Sequence, residues 1–177
     1  MPNHERPGTV QLYTGDGKGK TTAAFGLALR AAGHGRRVLI LQFMKGSERY
    51  GEVLAARRLA GVAVEQYGRD DFVRRGAPTA EDRRLAAAGM ARARQAVASG
   101  DYDLVILDEL NVAVAYGLVP EDDVLALIKG KAAALELVLT GREAPPALIE
   151  AADLVTEMKE IKHPYQRGVK AREGVEY

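Results

Sequence analysis

Residues 10–33 read VQLYTGDGKGKTTAAFGLALRAAG and decide the fold. The apolar run from Val10 to Tyr13 predicts a strand, and the alanine-rich run from Lys20 to Ala32, closed by Gly33, predicts a helix. A glycine-rich loop lies between them. Glycines let the backbone curl so that successive amides face inward, and the start of the helix adds positive potential. This strand, loop and helix together predict a binding site for a polyphosphate.

The loop is a variant of the Walker A pattern, which requires Gly, four residues and then Gly-Lys-Ser/Thr. Thr14 stands where the first Gly belongs, whereas Gly19, Lys20 and Thr21 match. The residues expected to contact the nucleotide are Gly15, Asp16, Gly17, Lys18, Gly19, Lys20, Thr21 and Thr22. Lys20 supplies a positive charge, Thr21 is placed to bind Mg²⁺ through its hydroxyl, and Lys18 adds a second cation that most such loops lack. A glycine turn with solvated lysines is the alternative.

Further apolar runs alternate with predicted helices along the chain. The strands are predicted at Val38 to Leu41, Leu104 to Leu107 and Leu135 to Leu139, with weaker candidates at Val62 to Glu65 and Leu154 to Glu157. The helices are predicted at Thr79 to Ser99, at Pro120 to Lys129, and from Pro145 and Pro146 onward. Thr79 and Asp82 have the spacing of a capping box. This alternation predicts an α/β fold, a mostly parallel sheet flanked by helices, because parallel neighbours need a crossover.

Two strands end in polar residues that belong at one edge of such a sheet. The run Leu104 to Leu107 is followed by Asp108 and Glu109, the Walker B arrangement, in which a carboxylate completes the shell of a magnesium ion. These acids could also cap a helix that begins near Asn111, an interpretation that is compatible with metal binding. Asn111 itself could be an N-cap or could orient a bound ligand. Arg142 follows another buried strand and could clamp a phosphate or be a surface arginine.

Composition narrows the class of protein. The 177 residues carry Lys+Arg 25 against Asp+Glu 24, with 47% hydrophobic residues, Cys 0 and His 3. These values predict one packed domain over residues 1–177 without a cysteine nucleophile, a cysteine zinc site or a redox pair. A balanced charge argues against nucleic acid as a partner. No apolar run reaches the about 18 to 20 residues of a membrane span, so we expect a soluble cytoplasmic protein with no membrane partner.

Two segments lack a regular period. Residues Gln66 to Pro78 predict a loop of functional length, and the tail from Lys162 to Tyr177 could be disordered or could dock through its bulky side chains. The arginines in and after the loop are Arg69, Arg74, Arg75, Arg83 and Arg84. They could form the phosphate-binding lid of a kinase, but matching by nearby acids is the favoured interpretation.

The motifs taken together resemble the ATP:corrinoid adenosyltransferases of the BtuR type. The resemblance is carried, in order, by TGDGKGKTTAAFGLALRA, VLILQFMKG, LVILDELNVAVAYGLV, VLTGREAPPALIEAADLVTEM and KEIKHPYQRGVKAREGVEY, which span nearly the whole chain. It implies a homodimer with a RecA-like P-loop fold. It also implies transfer of the 5′-deoxyadenosyl group of ATP, the co-substrate, to the cobalt of a reduced corrinoid, with release of triphosphate.

The resemblance also implies roles for particular residues. Lys20 and Glu109 are expected to act in catalysis, and Thr21, Asp108 and Glu109 to hold Mg²⁺, for which Mn²⁺ could substitute. Phe72 is expected to lie against the lower face of the corrin and to favour reduction to cobalt(I), whereas Arg74 stands where some relatives carry a second aromatic. An electron donor such as a flavoprotein is the implied partner. With nine residues before Val10, any lid is expected from elsewhere in the chain or from a partner subunit.

Two other classes of function remain open at this point. A small nucleotide or metabolite kinase would use the same loop with the arginine-rich segment and would produce ADP and a phosphorylated acceptor. A non-catalytic corrinoid carrier gated by nucleotide would bind both ligands without turnover.

Overall fold

A computed structural model describes residues 7–71 and 73–176. Its centre is a sheet of six parallel strands in the order β3-β2-β4-β5-β1-β6. The strands are β1 Val10–Thr14, β2 Val38–Phe43, β3 Val62–Tyr67, β4 Leu104–Asp108, β5 Glu136–Thr140 and β6 Leu154–Glu157. The helices are α1 Lys20–Gly33, α2 Gly51–Ala56, α3 Ala80–Ser99, α4 Leu110–Ala115, α5 Glu121–Lys129 and α6 Pro146–Ala151, followed by a 3₁₀ turn at Pro164–Arg167.

Helices cover both faces of the central strands. Every residue of β2 and β4 is buried, whereas all four residues of the edge strand β6 are exposed. Alternate residues of β2 pack on opposite faces, as the pleat requires. Leu39 and Leu41 belong to the hydrophobic cluster that includes residues of α3, and Ile40 belongs to the cluster that contains Ala24 and Ala28 of α1. The near-continuous apolar runs of the sequence are therefore the strands covered on both sides.

Helix α3 begins and packs as the sequence predicts. The Thr79 hydroxyl accepts a hydrogen bond from the Asp82 backbone amide, and the Asp82 carboxylate accepts one from the Thr79 amide, which completes the capping box. A Cβ at Gly89 would lie 2.8 Å from Phe43 Cε1, so only glycine allows α3 to approach β2 this closely. Gly100 ends the helix in the left-handed region at φ 73°.

The predicted architecture is confirmed, with differences at the element ends. All predicted strands and the four predicted helices are present, and every strand pair is parallel. The predicted loop from Gln66 is wrong at its start, because β3 continues through Tyr67 by pairing with Phe43. The short helix α2 has no counterpart in the sequence prediction. No helix in residues 7–71 or 73–176 combines the length and apolar character that crossing a membrane requires.

Candidate functional site

The candidate site lies at the carboxyl edge of the sheet, where open α/β sheets bind ligands. Strand β5 lies between β1 and β4, so three segments meet there. They are the glycine loop after β1, Asp108 and Glu109 at the end of β4, and Arg142 after β5. The sequence prediction that these segments share one edge is thereby confirmed.

The glycine loop is shaped by positive φ angles and by a close neighbour. Gly15 and Gly19 have φ 90° and 119°, a region that favours glycine. The Gly17 amide donates to the carbonyl of Met158, just after β6, at 2.6 Å. A Cβ at Gly17 would lie 2.6 Å from that oxygen, so the backbone contact itself requires glycine here. The loop is therefore fixed between the start of α1 and the segment after β6.

Lys20 is buried within the loop. Its ammonium donates to the carbonyls of Gly15 and Gly17 at 2.6 and 2.7 Å, and the residue is 7% exposed. Burial lowers the pKa of Lys20, and Arg142 lowers it further. The alternative of a turn with solvated lysines is wrong for Lys20. Its ammonium is bonded to backbone carbonyls of the loop. A bound phosphate could replace these carbonyls as the hydrogen-bond acceptors of Lys20.

Asp108 is the centre of a buried hydrogen-bond network. Its Oδ1 accepts from the hydroxyls of Thr21 and Thr140 at 2.9 and 2.7 Å. Its Oδ2 accepts from Gln42 Nε2 and Lys45 Nζ at 3.0 and 2.8 Å. Burial raises the pKa of Asp108, but Lys45 and the hydrogen bonds outweigh burial and leave the pKa below its ordinary value. The carboxylate is thus charged, fully buried and bonded on both oxygens.

Lys45 is a site residue that the sequence analysis missed. Its ammonium lies 3.1 Å from the Thr21 hydroxyl, 2.8 Å from Asp108 and 3.9 Å from Glu109. Burial lowers the pKa of Lys45, but the two carboxylates outweigh burial and raise it. A signal was available, since Gln42 and Lys45 are polar residues near and just beyond the carboxyl end of a strand that is otherwise apolar. Recognising them requires knowing that β2 lies beside β4.

Glu109 presents its carboxylate to the cavity described below. Its backbone has φ 61°, and its amide donates to the Thr140 hydroxyl at 3.0 Å. The side chain is 26% exposed, and burial together with the charge of Asp108 raises its pKa. Glu109 occupies the N-cap position of α4, which starts at Leu110, but no side chain caps this helix. Capping therefore does not account for the carboxylates of Asp108 and Glu109.

Asn111 is a buried connector between α4 and the end of β5. It is the second residue of α4, so its interpretation as the helix N-cap is wrong. Its amide donates to the Gly141 carbonyl at 3.2 Å, and within the described residues its Oδ1 has no hydrogen-bond partner. This hydrogen bond fixes the backbone at Gly141, the residue before Arg142.

A cavity of about 620 Å³ lies over the loop. Lys18, Lys20, Lys45, Glu109 and Arg142 contribute to its walls. The glycine loop, Thr21, Thr22 and Phe25 complete one side, and Tyr50, Gly51 and Glu52 another. The cavity brings together cations from three separate segments of the chain, as a polyanionic ligand requires.

The C-terminal tail forms a further wall of this cavity. His163 and residues 174–176 line it, and Lys18 donates to the Val175 carbonyl at 2.8 Å and contacts Glu176 at 3.4 Å. Docking of the tail is confirmed, but not through its bulky side chains, because Tyr165 and Val175 are 76% and 57% exposed. Polar contacts hold the tail over the loop.

Comparison with known proteins assigns the family. The profile of the family described as ATP:corrinoid adenosyltransferase BtuR/CobO/CobP matches residues 6–177. The chain belongs to this family. It is 41% identical to a corrinoid adenosyltransferase of Pseudomonas aeruginosa over 96% of this chain and 84% of that protein. It is 36% identical to the corrinoid adenosyltransferase of Escherichia coli K12, over 96% and 86% of the two chains. It is also 36% identical to the corrinoid adenosyltransferase CobA of Salmonella typhimurium, over 98% and 87%.

Family membership leaves the kinase alternative without support, and the arginine contacts agree. Arg69 contacts Asp82 at 2.9 Å, Arg84 contacts Glu81 at 2.6 Å, and Arg75 contacts Glu143 at 2.7 Å. Arg83 donates to the Gly117 carbonyl at 3.1 Å. Within the described part of the chain, none of the five arginines lines the cavity over the glycine loop. Phe72 lies outside the described residues, so its predicted contact with the corrin stays a prediction.

The donor set fits a magnesium ion bound together with a nucleotide. Thr21 and Glu109 offer a hydroxyl and a carboxylate to the same cavity, and Asp108 lies directly behind Thr21. Magnesium bound with phosphates takes one or two protein carboxylates, the remaining ligands being phosphates and water. In residues 7–71 and 73–176, no group of three or more His, Cys, Asp or Glu side chains is arranged to hold a metal alone. The donor set therefore fits a metal that is bound jointly with a polyphosphate ligand.

Proposed function

We propose that this protein transfers the 5′-deoxyadenosyl group of ATP to the cobalt of a reduced corrinoid and releases triphosphate. The observation that carries the proposal is the cavity in which Lys18, Lys20, Lys45 and Arg142 converge with the glycine loop. In a corrinoid adenosyltransferase family member, this cavity has the charge and size to hold a triphosphate.

The residues of the cavity suit a reaction in which triphosphate leaves. The electron pair of cobalt(I) attacks C5′ of the ribose, the C5′–O bond breaks, and triphosphate departs with the bonding pair while cobalt becomes formally cobalt(III). Cobalt(I) is itself the nucleophile, so the protein needs neither a nucleophilic side chain nor a general base. The protein's task is to stabilise the negative charge that develops on the leaving group.

Fixed cations perform this task. Lys20 exchanges its contacts with the Gly15 and Gly17 carbonyls for phosphate oxygens, and the loop amides donate from the same side. Arg142 reaches the phosphates from the end of β5. We propose Thr21 and Glu109 as the residues that hold Mg²⁺ or Mn²⁺, with Asp108 orienting Thr21. When bound, the metal adds neutralising charge to the triphosphate.

The remaining features of the proposal rest on the family resemblance and the sequence. Phe72 is proposed to face the lower side of the corrin and to favour reduction to cobalt(I). A cytoplasmic homodimer, one domain per chain, would receive electrons from a donor such as a flavoprotein.

An anaerobic assay tests the proposal. The protein is mixed with ATP, Mg²⁺ and chemically reduced cobalamin or cobinamide, the visible spectrum is followed, and the phosphate product is identified by chromatography. We expect a light-sensitive cobalt–carbon product and intact triphosphate. ADP without such a product would instead establish a kinase, and tight binding of both ligands without turnover would establish a carrier.

A further inference from the structure

Lys45 and a divalent cation have overlapping positions in this site. The Lys45 ammonium lies 3.1 Å from the Thr21 hydroxyl and 3.9 Å from Glu109, the two groups proposed above as metal ligands. It lies 2.8 Å from Asp108, which bonds to Thr21 from behind. A metal ion bound to the Thr21 hydroxyl would lie close to the Lys45 ammonium. Two positive charges so near each other repel strongly in a mostly buried site.

We propose that Lys45 is the resident cation of this site and that it alternates with the divalent metal. When metal and triphosphate enter, the Lys45 ammonium leaves Thr21 and Asp108 and moves toward the phosphates. This inference rests on the proposed nucleotide site, not on corrinoid chemistry. It assigns a positioning role to a residue that neither the Walker A nor the Walker B pattern contains.

The surroundings of Lys45 permit the movement. Its side chain is 18% exposed and lines the cavity, so the ammonium has an open direction away from Asp108. On that side its Nζ lies 5.9 Å from the centre of the Tyr50 ring. The lysine stem has four carbons and rotates freely. Two other partners of Asp108, Gln42 and Thr140, are fully buried. The lysine is therefore the movable member of the network.

The alternation explains how a buried carboxylate is tolerated in the absence of metal. Asp108 is fully buried, and a buried charge needs a partner of opposite charge. Lys45 supplies that partner while also resisting a metal that arrives without a nucleotide. Metal binding then becomes coupled to triphosphate binding, because the phosphates offer Lys45 a replacement for Asp108.

Manganese binding measured without nucleotide tests this proposal. Free Mn²⁺ is titrated by electron paramagnetic resonance in the wild type, in Lys45→Met and in Lys18→Met. Lys18→Met is the matched control, since it removes the same charge from the same cavity but its contacts are with the tail. We expect Lys45→Met to tighten Mn²⁺ binding about tenfold or more, and the solvent-screened Lys18→Met to change it less than about threefold. Equal changes in both variants, or none in Lys45→Met, would overturn the proposal.

A measurement on the unmodified side chain covers the case in which Lys45→Met does not fold. The lysine ¹⁵Nζ or ¹³Cε resonance of Lys45, assigned by its loss in Lys45→Arg, is followed in the wild type. We expect it to move when Mg²⁺ and ATP are added together, and an unmoved resonance under saturating ligand would refute the alternation. Neither readout involves a corrinoid. Failure of the adenosyl transfer assay would therefore leave this inference standing, and failure here would leave the proposed transfer standing.

Discussion

The two edges of the sheet carry cavities of similar size but different chemistry. The cavity at the carboxyl ends of the strands measures about 620 Å³, and the one at their amino ends about 550 Å³. At the amino edge, Arg36 and Arg37 both contact Asp103, at 3.4 and 3.6 Å. Lys131 there donates to the carbonyls of Gly8 and Leu135. The cations of this edge therefore bond to the carboxylate and carbonyl groups around the amino ends of the strands and stabilise the fold there.

Two cations at the carboxyl edge, Lys20 and Arg142, are held differently, whereas Lys45 is paired with Asp108. Lys20 bonds to carbonyls of the loop that faces the cavity, and Arg142 is exposed to the cavity. A phosphate can replace loop carbonyls, but it cannot displace Asp103 from two arginines without leaving a carboxylate uncompensated. Cavity volume therefore does not distinguish the two edges. The two edges differ in whether a phosphate can replace the partners of their cations. Substitutions at the amino edge should therefore lower stability, and substitution of Lys20 at the carboxyl edge should lower activity.

The largest effect is expected from Asp108→Ala. This change removes the acceptor of four hydrogen bonds, two of which come from the fully buried Gln42 and Thr140, and takes from Lys45 its nearest carboxylate. We expect the free energy of unfolding to fall by about 3–5 kcal/mol, as for broken buried ion pairs, measured by urea denaturation. Asp108→Asn, which keeps the shape and one acceptor, should lose less. Unchanged stability of the alanine variant would show that the network does not hold this edge together.

Lys20→Ala should lower activity strongly while the fold survives. Removing one donor to a developing negative charge costs about 100-fold or more in turnover, so we expect kcat/KM for ATP to fall by at least that factor. The Gly15 and Gly17 carbonyls lose one hydrogen-bond donor each, and water can enter the space that the side chain vacates, so the unfolding free energy should change by only about 1 kcal/mol. Steady-state kinetics and urea denaturation separate the two effects. Lys131→Ala is the control, because Lys131 also donates to two backbone carbonyls but lies at the opposite edge of the sheet. An equal loss of activity there would mean that the loss at Lys20 does not come from phosphate binding.

Much of this site could be predicted from the sequence, but its network could not. The glycine loop, Thr21 and Asp108 belong to local patterns in which a few neighbouring residues determine backbone shape and charge. Lys45 acquires its role only because β2 pairs with β4, which brings it to Asp108 across 63 positions of sequence. The tail contact with Lys18 spans 157 positions. Such contacts depend on strand order and docking, which periodicity and spacing do not encode.

Asp103→Asn should affect stability at the amino edge and leave adenosyl transfer unchanged. Burial raises the pKa of Asp103, but the Arg37 amide and the two guanidinium groups outweigh burial and lower it. We expect a loss of about 1 kcal/mol in unfolding free energy at neutral pH. A lowered carboxyl pKa stabilises the fold above the unfolded pKa of about 3.9, and this contribution disappears as pH falls below it. Urea denaturation of both proteins from pH 7 to pH 2.5 should therefore show the difference shrinking only below about pH 4. A difference that persists at the lowest pH would mean that the carboxylate charge is not its source.

The smallest effect is expected from Glu176→Gln, which tests the role of the tail that lines the cavity over the glycine loop. Hydrogen bonds from the Arg172 side chain and backbone, together with one from Lys18, lower the pKa of Glu176 to about 2, so the carboxylate is charged throughout the physiological range. Neutralising it weakens exposed contacts only, so we expect kcat/KM to change less than about threefold. Limited proteolysis should be more sensitive, because trypsin cleavage after Arg172 requires the tail to leave Lys18. Cleavage a few-fold faster than in the wild type, with near-normal turnover, would identify the tail as a movable cover. A loss of activity as large as that of Lys20→Ala would instead place the tail among the groups that bind the triphosphate.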